Sequence, residues 1–540
     1  MDAEKLGRII TFLRKQNNWT QKELANKLGI SDKTVSKWET GCGLPEISFL
    51  PDLADVFNVT VDFLVSNNAV DDFALYESLI DSYTHSNRAQ NKITDQIETL
   101  TDDFRDASTF DPELYEKYDV KRGLRDYNGV GVRAGLTKVS EVVGKKEVNG
   151  QIIPLEGDLF YRGYNVKDLV NNCDREHNTG FEEAVYVLLS GKLPNFHELE
   201  AFKSSLANYR TLPNNFVKDV IMKSPTSDIM NSMARGVLAL TSYDYSVNDT
   251  SLENVMRQSL KLIAVFPLLA IYSYQAYVHY RENQSLIIHN PNPRYSTAEN
   301  ILSLLRPDGK FTPAEARFLD ACLILHAEHG GGNNSSFTTH VVTSSGTDTY
   351  SAITAALCSL KGPKHGGANL KVCQMMDDLK AHVNGYDDMD GIYSYLSDLL
   401  DGKVFDKKGL IYGMGHAVYS LSDPRAVVIS DIVKDLAIEK GLEDEYKLYT
   451  DVQTFATELI AKKRKIYKGV SPNVDFYSGF GYRLLGIPDE LFTPLFAIAR
   501  VAGWSAHRIE ELLNTTKIIR PQYIHVGTRH KYVPMNKRKK

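Results

Sequence analysis

The apolar positions at the start of the chain recur at helical spacing, Leu6, Ile9, Ile10 and Leu13, before the polar break Gln16-Asn17-Asn18. Thr20-Gln21-Lys22-Glu23 then has the S/T-x-x-E form of a capping box, in which the Thr hydroxyl and the Glu carboxylate satisfy the free backbone donors of a new helix. Leu24, Ala25 and Leu28 give that helix its buried face, Gly29-Ile30-Ser31 makes a turn, and a further helix runs from Asp32 through Glu39 until Gly41. Val35 and Trp38 face inward, while Lys33, Thr34, Ser36 and Lys37 face outward. The pattern predicts a helix-turn-helix domain over residues 1–66, its second helix short, polar and suited to the major groove. From Asn67 to about Tyr118 the chain is polar and acidic, with helical periodicity but few apolar anchors, and reads as a partly helical linker over 67–118.

Beyond about residue 120 the pattern is mainly helical, with Phe181 to Leu189 and Ile229 to Thr241 as clear examples. Few alternating runs appear, which disfavours a doubly wound sheet. The longest apolar run, Leu262 to Ala270 and on through Tyr277, is broken by Pro267 and carries Tyr272, Ser273, Tyr274 and Gln275. It falls short of the roughly 18 clean residues of a membrane span and predicts a helix buried in a large core.

Composition is that of an ordinary globular chain: 540 residues, 43% hydrophobic and 24% charged, which excludes disorder for the bulk of it. Sixty-two Lys and Arg against 68 Asp and Glu leave a net charge of -6, so no global basic field draws the whole chain to nucleic acid. Locally the balance reverses. Residues 1–40 carry 8 Lys/Arg and 5 Asp/Glu, whereas residues 41–66 carry no Lys/Arg and 4 Asp/Glu, so positive charge collects on the helix-turn-helix side. Five scattered cysteines without a C-x-x-C predict neither a disulfide framework nor a zinc knuckle. Together with the charged start MDAEKLGR, which has no apolar signal core, they predict a reducing cytoplasm, without membrane association.

Two glycine patterns fail as dinucleotide loops: Gly129-x-Gly131-x-x-x-Gly135 follows the charged KRGLRDYN, and Gly413-x-Gly415 lacks its third glycine. No G-x-S-x-G elbow or Walker loop is present. Histidines in glycine-rich company carry the chemistry instead: His326-Ala327-Glu328-His329 before three glycines and Asn333, His365 in Gly362-Pro363-Lys364-His365-Gly366-Gly367, and His416 after Gly413-Met414-Gly415 and before Asp423-Pro424-Arg425. Flanked by small residues, such rings are open to a ligand. His326 and His329, three apart, allow a zinc reading on one helix face, but no third ligand is near and no H-E-x-x-H occurs.

Two resemblances follow from these motifs. TQKELANKLGISDKTVSKWETG and LPEISFLPDLADVFNVTVDFLV resemble the Xre/Cro-type repressor domain, over about 65 residues. By position this implies that Gln21, Lys33, Thr34, Ser36 and Lys37 touch phosphates or base edges of double-stranded DNA, the competing reading being a docking domain that has lost that function. HAEHGGGN, GPKHGGAN, GMGHAV, DPR, PNVDFYSG, Arg500 and IIRP, in that order, resemble citrate synthase, as do LFYRGYNVKDL and FEEAVYVLLSGKLP.

The second resemblance implies an all-helical synthase over residues 119–540, with a small domain at about 370–485 hinged on a large one, and an obligate homodimer with a shared site. It implies acetyl-CoA and oxaloacetate as substrates and no metal or redox cofactor. Asp475 is then the base, His365 the donor to the thioester oxygen and His416 the donor to the ketone. Arg425, Arg500 and Arg520 clamp the carboxylates, Arg520 from the partner subunit, and His329 and Asn333 complete the pocket. Where the family commonly has a basic residue about four after the histidine of GMGH, this chain has Ser420 and Leu421, leaving Lys468 or the lysines at 462–465 to hold coenzyme A phosphates. The other readings are a metabolite-sensing transcription regulator without turnover, and a 2-methylcitrate synthase using propionyl-CoA. In each, a two-fold dimer presents two recognition helices.

Overall fold

The computed structural model describes the chain except residues 1–2, 18, 58, 60, 62–63, 65–95, 127–129, 149–150, 172–178, 417, 465–468, 516 and 539–540. Much of the linker expected at 67–118, Gly129, Lys465 and Lys468 therefore lie outside the described residues. The chain divides into two compact units, Met1–Arg125 and Asp126–Lys540.

The first unit is built from α1 (Ala3–Gln16), α2 (Gln21–Leu28), α3 (Asp32–Glu39) and α4 (Phe49–Phe57). The capping box forms as the spacing predicts: Thr20 accepts from the Glu23 N–H, and Glu23 accepts from the Thr20 N–H. Gly29 ends α2 at φ 66, a left-handed conformation that favours glycine and lets the chain turn at once into α3. Leu6, Ile10, Leu24, Val35, Trp38 and Leu53 form the core. α1 and α3 cross closely, since a Cβ at Gly7 would lie 2.3 Å from the Trp38 carbonyl oxygen. Arg14 forks onto Glu39 at 2.6 and 2.9 Å.

The second unit is mainly helical. Among the described residues one helix, α5 (Leu252–Glu282), is long and apolar enough by length and composition to cross a membrane, yet 78% of its most apolar window is buried inside the protein. It is a core helix, as its interrupting polar residues predict. α6 (Pro313–His326), α7 (Asn334–Thr343), α8 (Thr349–Leu360) and the C-terminal α14 (Phe492–Asn514) belong to the same core, and α14 packs against all four. A second group comprises α9 (Ala368–His382), α10 (Met389–Leu400), α11 (Pro424–Glu439), α12 (Glu443–Arg464) and α13 (Val474–Leu484), in which α13 packs on α9 and α11, and α10 on α12.

The pattern of apolar positions does not predict the one sheet among the described residues, an antiparallel meander of β1 (Ser140–Val148), β2 (Gln151–Tyr161) and β3 (Tyr164–Asn165). Only its inner end is packed: Leu159 and Tyr161 alternate into the core, whereas the Lys145-Lys146 and Ile153 region is solvated or half-exposed, so most of the hairpin shows no period-2 signal. The pairing also shifts register between Val143 and Lys145.

Candidate active site

Helix α6 stops at His326, whose Nδ1 lies 2.7 Å from the Cys322 carbonyl. His329 therefore sits in the turn beyond, and the shared helix face that a zinc pair needs does not form. Among the described residues no three His, Cys, Asp or Glu side chains converge as metal ligands. The Tyr161 hydroxyl pins this turn, lying 2.9 Å from the Ile324 and 3.0 Å from the Glu328 carbonyl oxygens. The His329 ring is buried edge-on to His416 (centroids 5.0 Å apart) and Tyr419 (5.6 Å), and its Nε2 has no partner within the protein. Burial first, then Arg425 and His416, push its pKa well below the usual range, so the ring is neutral.

His416 is aimed by two glycines. Gly413 and Gly415 adopt φ 78 and 88, and a Cβ at Gly413 would lie 2.8 Å from Phe476 and from Val372. The strand-like segment lies against residues 471–473: the Gly415 N–H donates to Ser471 (2.8 Å), the Asn473 N–H to Gly413 (2.9 Å) and the Asn473 amide to Gly415 (3.0 Å). His416 Nδ1 accepts from the Val418 and Tyr419 N–H groups at 3.1 and 3.3 Å, which makes Nε2 the nitrogen that carries a proton.

Asp475 lies in the first turn of α13, where the Asn473 side chain accepts from its N–H at 3.0 Å. Its Oδ1 is buried without a protein partner. Burial pushes the carboxyl up to about 7, Arg425 and Arg500 opposing and Asp423 adding to the shift. A carboxylate poised there is matched to proton abstraction near neutrality.

His365 is held by α7. Its Nε2 is 2.9 Å from Ser335 Oγ and accepts the Ser335 N–H at 3.4 Å, so the neutral ring carries its proton on Nδ1. Trp504 fixes the same serine from α14, donating to Oγ at 3.0 Å. Burial, reinforced by Arg500, lowers the His365 pKa to about 4.

The arginines divide. Arg500 is buried, donates from Nε to the His326 carbonyl at 2.7 Å and lies over Phe496 at 4.7 Å, while its Nη2 has no protein partner; burial lowers its pKa to about 10. Arg425 turns its two-point face onto Asp423, at 3.0 and 2.7 Å, rather than leaving it free for a substrate. Arg520 is exposed in the irregular stretch beyond α14 and is not brought to the other site residues by this chain. Asn333 caps α7, accepting from the Ser336 N–H at 3.1 Å and donating to Gly330 and Ser336, which is a structural use of all its polar atoms.

In the first unit Lys33 and Lys37 are exposed on α3, and Thr34 and Ser36 half-buried beside them. The half-buried Gln21 donates its amide to Glu39 at 2.7 Å, tying α2 to the Arg14–Glu39 pair. Of the lysines at 462–465, Lys463 donates to the Ser397 carbonyl at 2.9 Å and pairs with Asp401, and the adjacent Arg464 donates to Gly409. Sequence reasoning missed Ser335, Tyr419 and Phe496, whose residue types carry no signal without the fold, and gave Asp423 no role within its motif.

Comparison with known proteins shows the family. The citrate synthase C-terminal domain profile matches residues 128–522, and a helix-turn-helix profile matches residues 10–64. The citrate synthase of Synechocystis is 34% identical over 76% of this chain and 92% of its own length. The 2-methylcitrate synthase 2 of Corynebacterium glutamicum is 33% identical over 78% of this chain and 98% of its own. Among solved structures, citrate synthase from Thermoplasma acidophilum in ternary complex with carboxymethyl coenzyme A and oxaloacetate superposes with TM-score 0.63 at 28% identity, covering 77% of this chain and 99% of that one. The protein is a condensing acyltransferase. It belongs to the citrate synthase family and carries an N-terminal helix-turn-helix domain.

Proposed function

We propose that the chain condenses acetyl-CoA with oxaloacetate and water to citrate and CoA in the cytoplasm, as a homodimer, and that residues 1–66 bind double-stranded DNA. The observation that carries the synthase reading is the set of buried polar atoms without protein partners, His329 Nε2, Asp475 Oδ1 and Arg500 Nη2, beside the neutral rings of His329 and His365. Asp475 takes a proton from the thioester methyl while His365 Nδ1–H donates to the developing enolate oxygen. The enol carbon attacks the ketone of oxaloacetate, and His416 Nε2–H delivers a proton to the oxygen as the carbon bond forms. Water then cleaves the citryl thioester, releasing CoA, within a site closed by the small domain at about residues 370–485. Arg500, His329 and the remaining edge of Arg425 receive the oxaloacetate carboxylates, joined by Arg520 of the second copy. Acetyl-CoA is a substrate, and the chemistry needs no metal or redox cofactor.

The test is release of free thiol from acetyl-CoA and oxaloacetate by the purified chain. Release no faster than that of an Asp475→Ala control would sink the enzyme reading and leave a metabolite-sensing regulator. Propionyl-CoA belongs in the same assay, because 2-methylcitrate synthases match this chain as fully as citrate synthases do. One methylene in an apolar pocket is worth only about 1–3 kcal/mol, so a rate preference of up to roughly 200-fold is expected.

For DNA, the exposed Lys33 and Lys37 on α3 supply the phosphate-facing charge. Charge reversal of both, Lys33→Glu with Lys37→Glu, is expected to abolish the shift of a DNA pool selected by the wild-type chain and leave thiol release intact. An unchanged shift would remove α3 from the DNA face.

A further inference from the structure

The chemistry above makes no use of Glu328, His507, His340 or Glu511, yet these four side chains form one continuous string. Glu328 Oε1 is 2.9 Å from His507 Nε2, His507 Nδ1 is 3.2 Å from His340 Nε2, and His340 Nδ1 is 2.8 Å from Glu511 Oε2. Glu328 and His507 are completely buried, while the His340 and Glu511 side chains are 13% and 10% exposed, so the string runs from the interior to its edge. Glycine makes the packing possible. A Cβ at Gly331 would come 3.3 Å from both imidazoles, and one at Gly503 would lie 2.2 Å from Glu328 Oε2.

Proton counting sets the charge of this string. Its three contacts need three hydrogens, whereas two neutral imidazoles supply two. With both carboxylates ionised, the third hydrogen makes the string an imidazolium shared between two rings, with a net charge of one negative; burial and His507 lower the His340 pKa, while Glu511 and Glu510 oppose that shift. The surroundings are consistent with a charged inner end. Burial opposes ionisation of Glu328, but His507, Arg500 and the Ser140 hydroxyl hold its carboxyl down at about 2. Glu328 in turn favours the charged form of Arg500. The other groups facing the rings are Glu510, 3.9 Å from His507 Nδ1, and Arg162, which interacts with Glu510; Tyr161 holds the Glu328 backbone.

Glu328 is the residue next to His329, and it is electrostatically coupled to Arg500, the cation with a free Nη2. We infer that Glu328, His507, His340 and Glu511 are positioning residues for the dianionic substrate, a proton-sharing string that holds the His329 turn and Arg500 in the geometry that receives oxaloacetate. The inference rests on the synthase reading of the site. It has a direction: losing the shared proton as pH rises takes the string from one negative charge to two, which weakens capture of a dianion without touching the groups that move protons in the reaction.

The variant that tests it is His340→Gln, which cuts the string at its outer half, away from the proposed substrate contacts. In the intact chain the KM for oxaloacetate is expected to rise roughly three- to tenfold on the acid side of neutrality, where the wild-type string holds its third proton, the scale of one unit charge acting through a partly buried protein medium, with kcat within about twofold of wild type. The rise of that KM with increasing pH in the wild type should vanish. Glu511→Gln keeps an acceptor and removes one negative charge, so it should lower the KM for oxaloacetate under the same conditions and move the rise with pH to lower pH. Parallel loss of kcat and affinity for both substrates in His340→Gln, or an unaltered pH profile, would overturn the assignment. Proton NMR of the full chain decides it independently of turnover: far-downfield imidazole N–H resonances are expected in the wild type and lost in His340→Gln, and their absence from the wild type overturns proton sharing. A wild type that shows those resonances yet neither binds oxaloacetate nor releases thiol would instead be a failure of the synthase reading.

Discussion

Asp475→Asn is expected to lower kcat by roughly 10²- to 10⁴-fold, the contribution of a positioned general base, while the KM for oxaloacetate stays level or falls. The split follows from charge. An amide occupies the same space as the carboxyl but cannot take a proton from the thioester methyl. Removing a negative charge from a pocket that holds Arg425 and Arg500 also favours, if anything, the binding of a dianion. The same substitution should stabilise the fold. Burial raises the Asp475 carboxyl from an ordinary 3.8 to about 7, so the folded state prefers the protonated form. Wild-type stability from this group is then fully present below about pH 4 and is lost as pH rises through about 7, by an amount on the order of a few kcal/mol. The Asn variant escapes that loss. Melting temperatures of the two should coincide at pH 4 and separate by pH 8, with the variant higher, and the wild-type rate should fall on the acid side of pH 7 as the base protonates. Equal melting at pH 8 would mean that Asp475 is not buried as a charged base, and a variant retaining a tenth of wild-type kcat would assign the proton transfer to another group.

What the amino-acid sequence discloses of this site depends on how far apart the partners lie. Short-range features are legible because their partners are a few residues away: the Thr20–Glu23 capping box and the left-handed Gly29 follow from local backbone accounting. The buried α5 follows from its apolar run and its interruptions. The glycine-flanked histidines are legible as residues open to a ligand, and His329, His365 and His416 indeed lie in turns or loops at helix ends.

Orientation is another matter. Asp423-Pro424-Arg425 announces a helix start, but whether Arg425 forks onto Asp423 or onto a substrate depends on a side-chain choice that spacing does not encode. Gln21 stands at the head of α2, and the partner that takes its amide, Glu39, is 18 residues on. Ser335 orients His365 from 30 residues away, and the Glu328–His507 contact joins positions 179 apart. Such pairings are created by tertiary packing. The β1–β2 hairpin was hidden for the opposite reason: too little of it is buried to impress an alternation on its residues.

His365→Ala is expected to cost roughly 10²- to 10³-fold in kcat, the loss typical of one donor to a developing oxyanion. The geometry makes this a test of role as well as of importance. His365 Nε2 is occupied by the Ser335 backbone and hydroxyl, with Trp504 bracing that hydroxyl from α14, so Nδ1–H is the nitrogen left for the substrate. Burial and Arg500 hold the ring at a pKa of about 4, and it remains uncharged across the working range. An acid limb near pH 7 in the rate therefore belongs to Asp475, and His365→Ala should keep that limb while lowering the whole profile. His365→Gln, which restores an N–H donor without an ionisable ring, should recover part of the rate with the same limb. Oxaloacetate binding measured by calorimetry should change little in either variant, because the carboxylates are received by other residues. The decisive observation is the limb itself. Its disappearance in His365→Ala would make this histidine the base and Asp475 the partner that tunes it, reversing the two roles, whereas a retained limb with a depressed plateau leaves one neutral donor and one poised carboxylate on opposite sides of the same proton transfer.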